Sequence, residues 1–224
     1  MLNEHEIQFI QSILTFWDHL NPRQQSMLLE NANPVKYHRG ENIHRGDNDC
    51  VGVLLIKSGE LRTYILSEDG RDITLYRLGP EDICILSASC ILQNITFDVH
   101  IDAEKDCEIV LINSSIFQQI ASENVYAENF SYKAAIDRFS DVMWAMQQIL
   151  FMSFDKRLTV FLLDEVARTG SNTIVMTHEQ IAKYIGSARE VVSRMLKYFE
   201  NEGYVNLSRG KIEVIDKVQL KEII

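Results

Sequence analysis

Three observations predict an α+β chain: short β-type runs between Val35 and Ile112, an unbroken helical texture from Asn113 onward, and two short capped helices followed by a two-strand hairpin after Thr177. The β-rich part comes first, a long helix follows, and a winged helix-turn-helix comes last. Boundaries are expected at 1–122, 123–152 and 153–224. A length of 224 residues suffices for between one and two domains, each with its own core, and 46% hydrophobic with 24% charged residues lies far from the composition of disordered chains.

The opening reads as one helix, because Ile7, Ile10, Ile13 with Leu14, and Trp17 recur at helical spacing. Asn21-Pro22 supplies a cap and a first-turn proline for a second helix through Leu28-Leu29. After Pro34 come the runs VGVLLI, LRTYIL, DITLYRL, TFDVHI and CEIVLI, separated by turn signals at Gly40, Gly46-Asp47, Ser58-Gly59, Glu68-Asp69-Gly70 and Gly79-Pro80. Strands at this spacing predict a barrel or sandwich rather than a βαβ fold, and Leu66 to Gly70 reads as a hairpin turn.

Helix resumes at Asn113. Val125, Asn129, Tyr132, Ile136, Phe139, Met143, Met146 and Leu150 alternate in steps of four and three, which is a heptad seam. Phe130, Ala134, Trp144 and Ile149 form a second apolar set off that seam. A monomer could bury such a helix in its core. The regular 3.5 period suits a long, nearly parallel partner better, so Tyr132, Ile136, Phe139, Met143, Met146 and Leu150 are expected to form a dimer seam beside a face packed on the β domain. Ser153-Phe-Asp155 restarts a helix through Leu158, Phe161, Leu162 and Val166, closed by Gly170.

Thr177-His-Glu-Gln180 is a capping box opening a helix that buries Ile181 and Ile185. Gly186 breaks it, and Ser187-Ala-Arg-Glu190 reads as a second capping box opening a helix with Val192, Met195 and Phe199 inside. Small Ala182 stands where the helices would touch, and this joint spacing is more specific than either cap alone. Tyr204 to Leu207 and Lys211 to Ile215 about Ser208-Arg-Gly210 make a wing. Thr177, Arg189, Glu190, Ser193, Arg194, Lys197 and Lys211 are the expected DNA contacts. Arginine bridges guanine O6 and N7, glutamate accepts from cytosine N4, and serine bonds base or phosphate. A solvated charged face, or a winged helix used for protein contact, is the plainer alternative.

This order of parts resembles the Crp/Fnr family of bacterial transcription regulators over nearly the whole chain. YHRGENIHRGDN is similar to that family's opening roll segment, KSGELRTYILSEDGRDITLYRLGPED to its central strands, and SAREVVSRMLKYFENEGYV to its recognition helix. The resemblance implies a double-stranded β-helix, the jelly-roll of cyclic-nucleotide-binding-like domains, for the first part. It places Glu190 and Arg194 at base-reading positions shared by most members, with Arg189 and Ser193 beside them as in the cyclic-AMP-type and oxygen-responsive-type patterns. It implies a homodimer on inverted-repeat double-stranded DNA, RNA polymerase as a partner, and control by a small-molecule effector or redox signal in the roll.

The family's nucleotide cassette holds the cyclic phosphate with an arginine. Here Cys84 to Cys90 and Asn94 to Asp98 occupy the corresponding stretch, and no arginine occurs between Arg77 and Arg138. An aspartate near the pocket's expected centre with no arginine would repel a cyclic nucleotide, so the effector and any cofactor stay unidentified. Cys84 and Cys90 are candidate redox or soft-metal sensors, against the reading of buried cysteine as a small hydrophobe. The N-terminal cysteine cluster of the oxygen-sensing relatives is missing from residues 1–49, while haem stays open through His100 and the cysteines.

No catalytic residue and no metal site are expected. The alternatives are a ligand-binding module with a non-DNA winged helix and a jelly-roll metal enzyme, and the enzyme would need clustered ligands, whereas His38, His44 and His100 form no H-x-H pair. The net charge of −10 argues against nucleic acid only on average, because Thr177 to Ile224 carries 8 Lys+Arg against 7 Asp+Glu. An acidic start and no apolar run near bilayer length predict a cytoplasmic protein without a membrane partner.

Overall fold

Asn3 and Asn21 each open a helix by the same reciprocal exchange. Asn3 Oδ1 accepts from the Glu6 N–H at 2.9 Å and Glu6 Oε2 accepts from the Asn3 N–H at 2.8 Å, starting α1 (Glu4–Ile13). Asn21 and Gln24 do the same for α2 (Pro22–Glu30), with Pro22 in the first turn. The computed structural model describes residues 2–46, 51–68, 70, 72–85 and 99–224. Cys50, Cys90 and the cassette stretch 86–98 lie outside the described residues. The chain divides into two units, Met1–Leu66 with Leu75–Val142, and Ser67–Thr74 with Met143–Ile224.

The first helix is shorter than its periodicity suggests. It ends at Ile13, Leu14 leaves helical geometry, and Trp17 opens a separate 3-10 turn, Trp17–His19. Tertiary burial overrides the period here: the turn sends both Leu14 and Phe16 into the core, where the Phe16 ring meets Phe130 edge-on with centroids 5.1 Å apart.

Eight strands follow among the described residues, all within the first unit except the start of the fifth, residues 72–74. They are β1 (Ala32–Tyr37), β2 (Asn42–His44), β3 (Val53–Ser58), β4 (Leu61–Leu66), β5 (Asp72–Leu78), β6 (Ile83–Cys84), β7 (His100–Ala103) and β8 (Cys107–Ile112). They form two sheets, ordered β1-β8-β3-β6 and β2-β7-β4-β5. This is the expected jelly-roll. The first strand starts earlier than the texture change at Pro34 suggests, and Pro34 pairs opposite Val110 from an edge strand, where its missing N–H costs no ladder bond.

The two-residue side-chain period sends β3 into two cores at once. Leu54 and Ile56 join Leu61, Leu78, Ile101 and Ile109 in one apolar cluster, while Val53 and Leu55 join Leu28, Val110, Ile112 and Phe117 in the other. Helices α1, α2 and α3 (Ser114–Glu123) supply the far side of that second cluster.

Asn124 accepts from the Tyr126 and Ala127 N–H groups and so caps α4 (Val125–Phe151), a 27-residue helix about 40 Å long at 1.5 Å per residue. Ala127, Ser131 and Ala134 bury one side of it. In the second unit α5 (Phe154–Thr169), α6 (His178–Ile185) and α7 (Arg189–Asn201) pack Leu158, Leu162, Ile181, Val192, Leu196 and Phe199 into one core. The sheet there is ordered β10-β11-β9 from β9 (Thr173–Ile174), β10 (Val205–Ser208) and β11 (Lys211–Val214). The unit closes with α8 (Lys217–Ile223), which Asp216 caps by accepting from Val218 and Gln219 N–H.

Gly59 joins β3 to β4 at φ +95°, and a Cβ there would lie 2.5 Å from both the Asp106 carbonyl oxygen and Cys107 Sγ. Gly59→Ala should therefore cost about 2–5 kcal/mol, the left-handed backbone penalty plus overpacking against main chain. Urea unfolding followed by circular dichroism measures it, and a loss below about 1 kcal/mol would contradict the close approach.

Candidate nucleic-acid interface

Thr177 caps α6 as the sequence predicts: its Oγ1 accepts from the Gln180 N–H at 3.2 Å, and its own N–H donates to Gln180 Oε1 at 2.8 Å. Ile181, Ala182 and Ile185 are buried. At the far end Gly186 turns left-handed, φ 60° and ψ 55°, and both the Gly186 and Ser187 N–H groups donate to the Ala182 carbonyl.

That shared carbonyl corrects the second capping box. Ser187 is spent in closing α6, so Ala188 takes the cap position of α7, with no side-chain cap hydrogen bond, and Ser187 and Glu190 form no reciprocal exchange. No capping side chain occupies the positive end of this helix. A second correction concerns its inner face, where Leu196 is fully buried with Val192 and Phe199 while Met195 is only half-buried.

The opposite face carries Arg189, Glu190, Arg194 and Lys197, all exposed, with Ser193 half-buried between them. Two of these groups already have partners. Lys197 Nζ meets Glu200 Oε2 at 2.6 Å, and Glu200 Oε1 also accepts from the Leu207 N–H at 3.1 Å, which ties α7 to β10. Lys197 first, then the Leu207 N–H, holds the Glu200 carboxyl below its ordinary range. Ser193 Oγ lies 2.8 Å from Nδ1 of His178. Burial, and then the Arg189 charge, push the His178 imidazole below its usual value.

In the wing, Ser208 pairs with Lys211 across an Arg209-Gly210 turn. A groove of about 590 Å³ runs between the wing and the helix starts, lined by Thr177, His178, Glu179, Arg189, Arg209 and Lys211 among others. Arg209 and His178 are absent from the sequence-derived contact set. Their signals were available: Arg209 stands at the tip of a glycine turn, and His178 is the first residue of a capped helix.

Two family models match the chain: the cyclic nucleotide-binding domain over residues 34–124 and the Crp-like helix-turn-helix domain over 156–223. Similarity extends over almost the full length to a crystal structure from Eubacterium rectale reported as a transcriptional regulator of the Crp/Fnr family. It is 46% identical, with a TM-score of 0.91, over 95% of this chain and 99% of that one. The chain belongs to the Crp/Fnr family.

Among curated relatives, the cyclic AMP receptor protein of Thermus thermophilus is 24% identical over 91% of this chain and 94% of its own length. The transcriptional activator FnrA of Stutzerimonas stutzeri is 22% identical over 86% of this chain and 80% of its own. This Crp/Fnr protein is a DNA-binding transcription regulator, in a family of regulators rather than enzymes.

Away from the winged helix, the expected seam of this Crp/Fnr regulator lies on the outside of α4: Ile136, Phe139 and Leu150 are 62–64% exposed, and Tyr132, Met143 and Met146 about half. Cys84 and Cys107 are buried thiols. Cys107 Sγ donates to the Lys105 carbonyl at 3.0 Å, and burial raises its thiol above the usual value, away from the reactive thiolate. Among the described residues no three His, Cys, Asp or Glu side chains gather as a metal site, and no helix is long and apolar enough to cross a membrane.

Proposed function

We propose that this regulator acts as a homodimer on an inverted-repeat site, with α7 of each copy in the major groove. The observation that carries the reading is the division of α7: Val192, Leu196 and Phe199 fully buried, and Arg189, Glu190 and Arg194 exposed on the opposite side beside an uncapped helix start. Arg194 and Glu190 read a G·C pair, Arg189 and Thr177 flank it, and Lys211 holds a phosphate from the wing. Lys197 contributes less, since Glu200 already takes its charge. In this reading residues 1–122 are sensory, 123–152 dimerising and 153–224 DNA-binding, and RNA polymerase is the downstream partner.

The dimer reading follows from α4. Six apolar side chains in a row, about half or more exposed, are what a parallel second copy would cover. Glu at both Ile136 and Met143 would bury unpaired charges in that seam. Sedimentation should then show monomers that have lost specific DNA binding, and an unchanged mass would rule the seam out.

The effector is a small molecule or a redox signal, and cyclic nucleotide is not it. The cassette stretch has no arginine, and Arg138 is held by Asp141 Oδ2 at 3.2 Å with its guanidinium over the Tyr76 ring. Cyclic AMP or cyclic GMP should leave both the Tm and the DNA affinity unchanged, because a ligand stabilises only the state it binds. Micromolar, saturable heat in calorimetry would refute this.

The readout has its own signature. On an inverted repeat with a TGA core, which resembles the family's half-site, Arg194→Ala should cost about 1–3 kcal/mol at the G·C pair and flatten discrimination there. Lys211→Ala should weaken all sequences about equally and lower the salt slope by about 1. Titrations on the repeat and on a version with that pair swapped decide it: uniform weakening by Arg194→Ala would show that another residue reads the pair.

A further inference from the structure

His178 opens α6 and lines the groove beside the wing. It is the sole histidine in residues 143–224. Its Nδ1 meets Ser193 Oγ at 2.8 Å, and Ser193 stands one turn along α7 from Arg189, so the ring joins the first helix to the recognition face. Glu179 from its own helix, Arg189 from α7, and Arg209 and Lys211 from the wing are the charged groups of that groove.

In the free protein, burial and Arg189 favour the neutral ring. A neutral imidazole has one N–H, so the ring can either accept from the serine or donate to it. Protonation removes the choice. Both ring nitrogens then donate, Nδ1–H must point at Ser193 Oγ, and the serine hydroxyl hydrogen is released for another acceptor. Glu179 is the one carboxylate beside three cations there, and a phosphate in the groove would add negative charge and reverse the balance that keeps the ring neutral.

We propose that His178 is a proton-dependent DNA contact: as the duplex enters the groove the imidazole takes a proton from solvent, Nε2–H donates to a phosphate oxygen, and Nδ1–H turns Ser193 into a hydrogen-bond donor toward the DNA. This rests on the recognition face proposed above and adds to it a residue, a proton and a sense for the serine hydrogen bond. By linkage, what DNA does to the ring the ring does to DNA: a contact that raises the affinity for the proton tenfold raises DNA affinity tenfold on acidification.

The test uses the full chain and the TGA-core duplex at constant ionic strength between pH 8 and pH 5.5. Wild-type affinity should rise about tenfold per half-site as the pH falls, and the salt slope at pH 5.5 should be steeper by about 1 per half-site, one phosphate more being neutralised. His178→Gln, which keeps a hydrogen-bonding group without a titrating one, should be flat in both. In NMR the His178 ring should titrate below the ordinary histidine range in free protein and at least one pH unit higher on DNA.

Stability should move the other way. A base held below its unfolded value contributes stability that is complete above about pH 6.5 and lost as pH falls through the folded value, so the wild-type Tm should drop more than that of His178→Gln. A merely structural histidine would lose stability and affinity together. Binding that depends on Arg194 but not on pH, an unchanged pH profile in His178→Gln, or a ring that titrates alike with and without DNA each overturns the proton contact alone. Loss of the Arg194 dependence overturns the recognition face and this proposal with it.

Discussion

The Ala182 carbonyl is the point on which the DNA-binding half turns. By accepting from both Gly186 and Ser187 it ends α6 sharply and commits Ser187 to the turn. Arg157 adds to the same junction, its guanidinium donating to the Ile185 carbonyl at 2.8 Å from α5. The second helix must then begin at Arg189 without a capping side chain, and its arginines and glutamate emerge at the end where a helix meets an acidic ligand most favourably. A freer turn would allow the recognition face to rotate about its own axis, and Val192, Leu196 and Phe199 would lose their common pocket.

A chain of net charge −10 can serve as a DNA-binding protein because phosphates respond to local charge, not to the sum over the molecule. The winged helix nearly balances its charges and then arranges them. Glu200 is drawn back to Lys197 and the Leu207 N–H, Glu213 lies on β11, and Arg189, Arg209 and Lys211 share the groove. The same exchange between Glu200 and Leu207 anchors the wing, so one carboxylate both masks a lysine and fixes the strand that carries the cationic turn.

Much of this was legible in the sequence wherever a local rule acts alone. The caps at Asn21 and Thr177, the glycine turns and the heptad stripe of α4 need only neighbouring residues to be read. Errors arose where a distant partner outbid the local signal. Trp17 fits the helical period, but the demand to bury Leu14 and Phe16 breaks the helix first. Ser187 looks like a cap until Ala182 claims its N–H, and Met195 looks interior until Leu196 takes the place. The two-residue strand β9 exists only because β11 pairs with it, and a segment that short carries no period of its own. His178 and Arg209 do not stand out as DNA-site residues in the sequence, because each is lone there and becomes part of a set only when the wing and the helix starts converge.

The strand through Val53, Leu54, Leu55 and Ile56 poses a problem of alignment that its own composition does not solve. In a strand with one wet face, a slip of a single residue would expose the apolar set and be rejected. Here both faces are buried and both are apolar, so a slipped strand would still offer an aliphatic side chain at three of the four places. What rejects the slip lies at the ends. At Gly52 as at Gly59, any side chain would drive its first carbon to 2.5 Å from a backbone oxygen, of Ile112 in one case and of Asp106 in the other. Shifted by one place, the strand would bring Val51 or Val53, and Ser58 or Glu60, into those gaps. Two hydrogen-sized clearances thus act as locating pins for a sequence that would otherwise be interchangeable with its own neighbour.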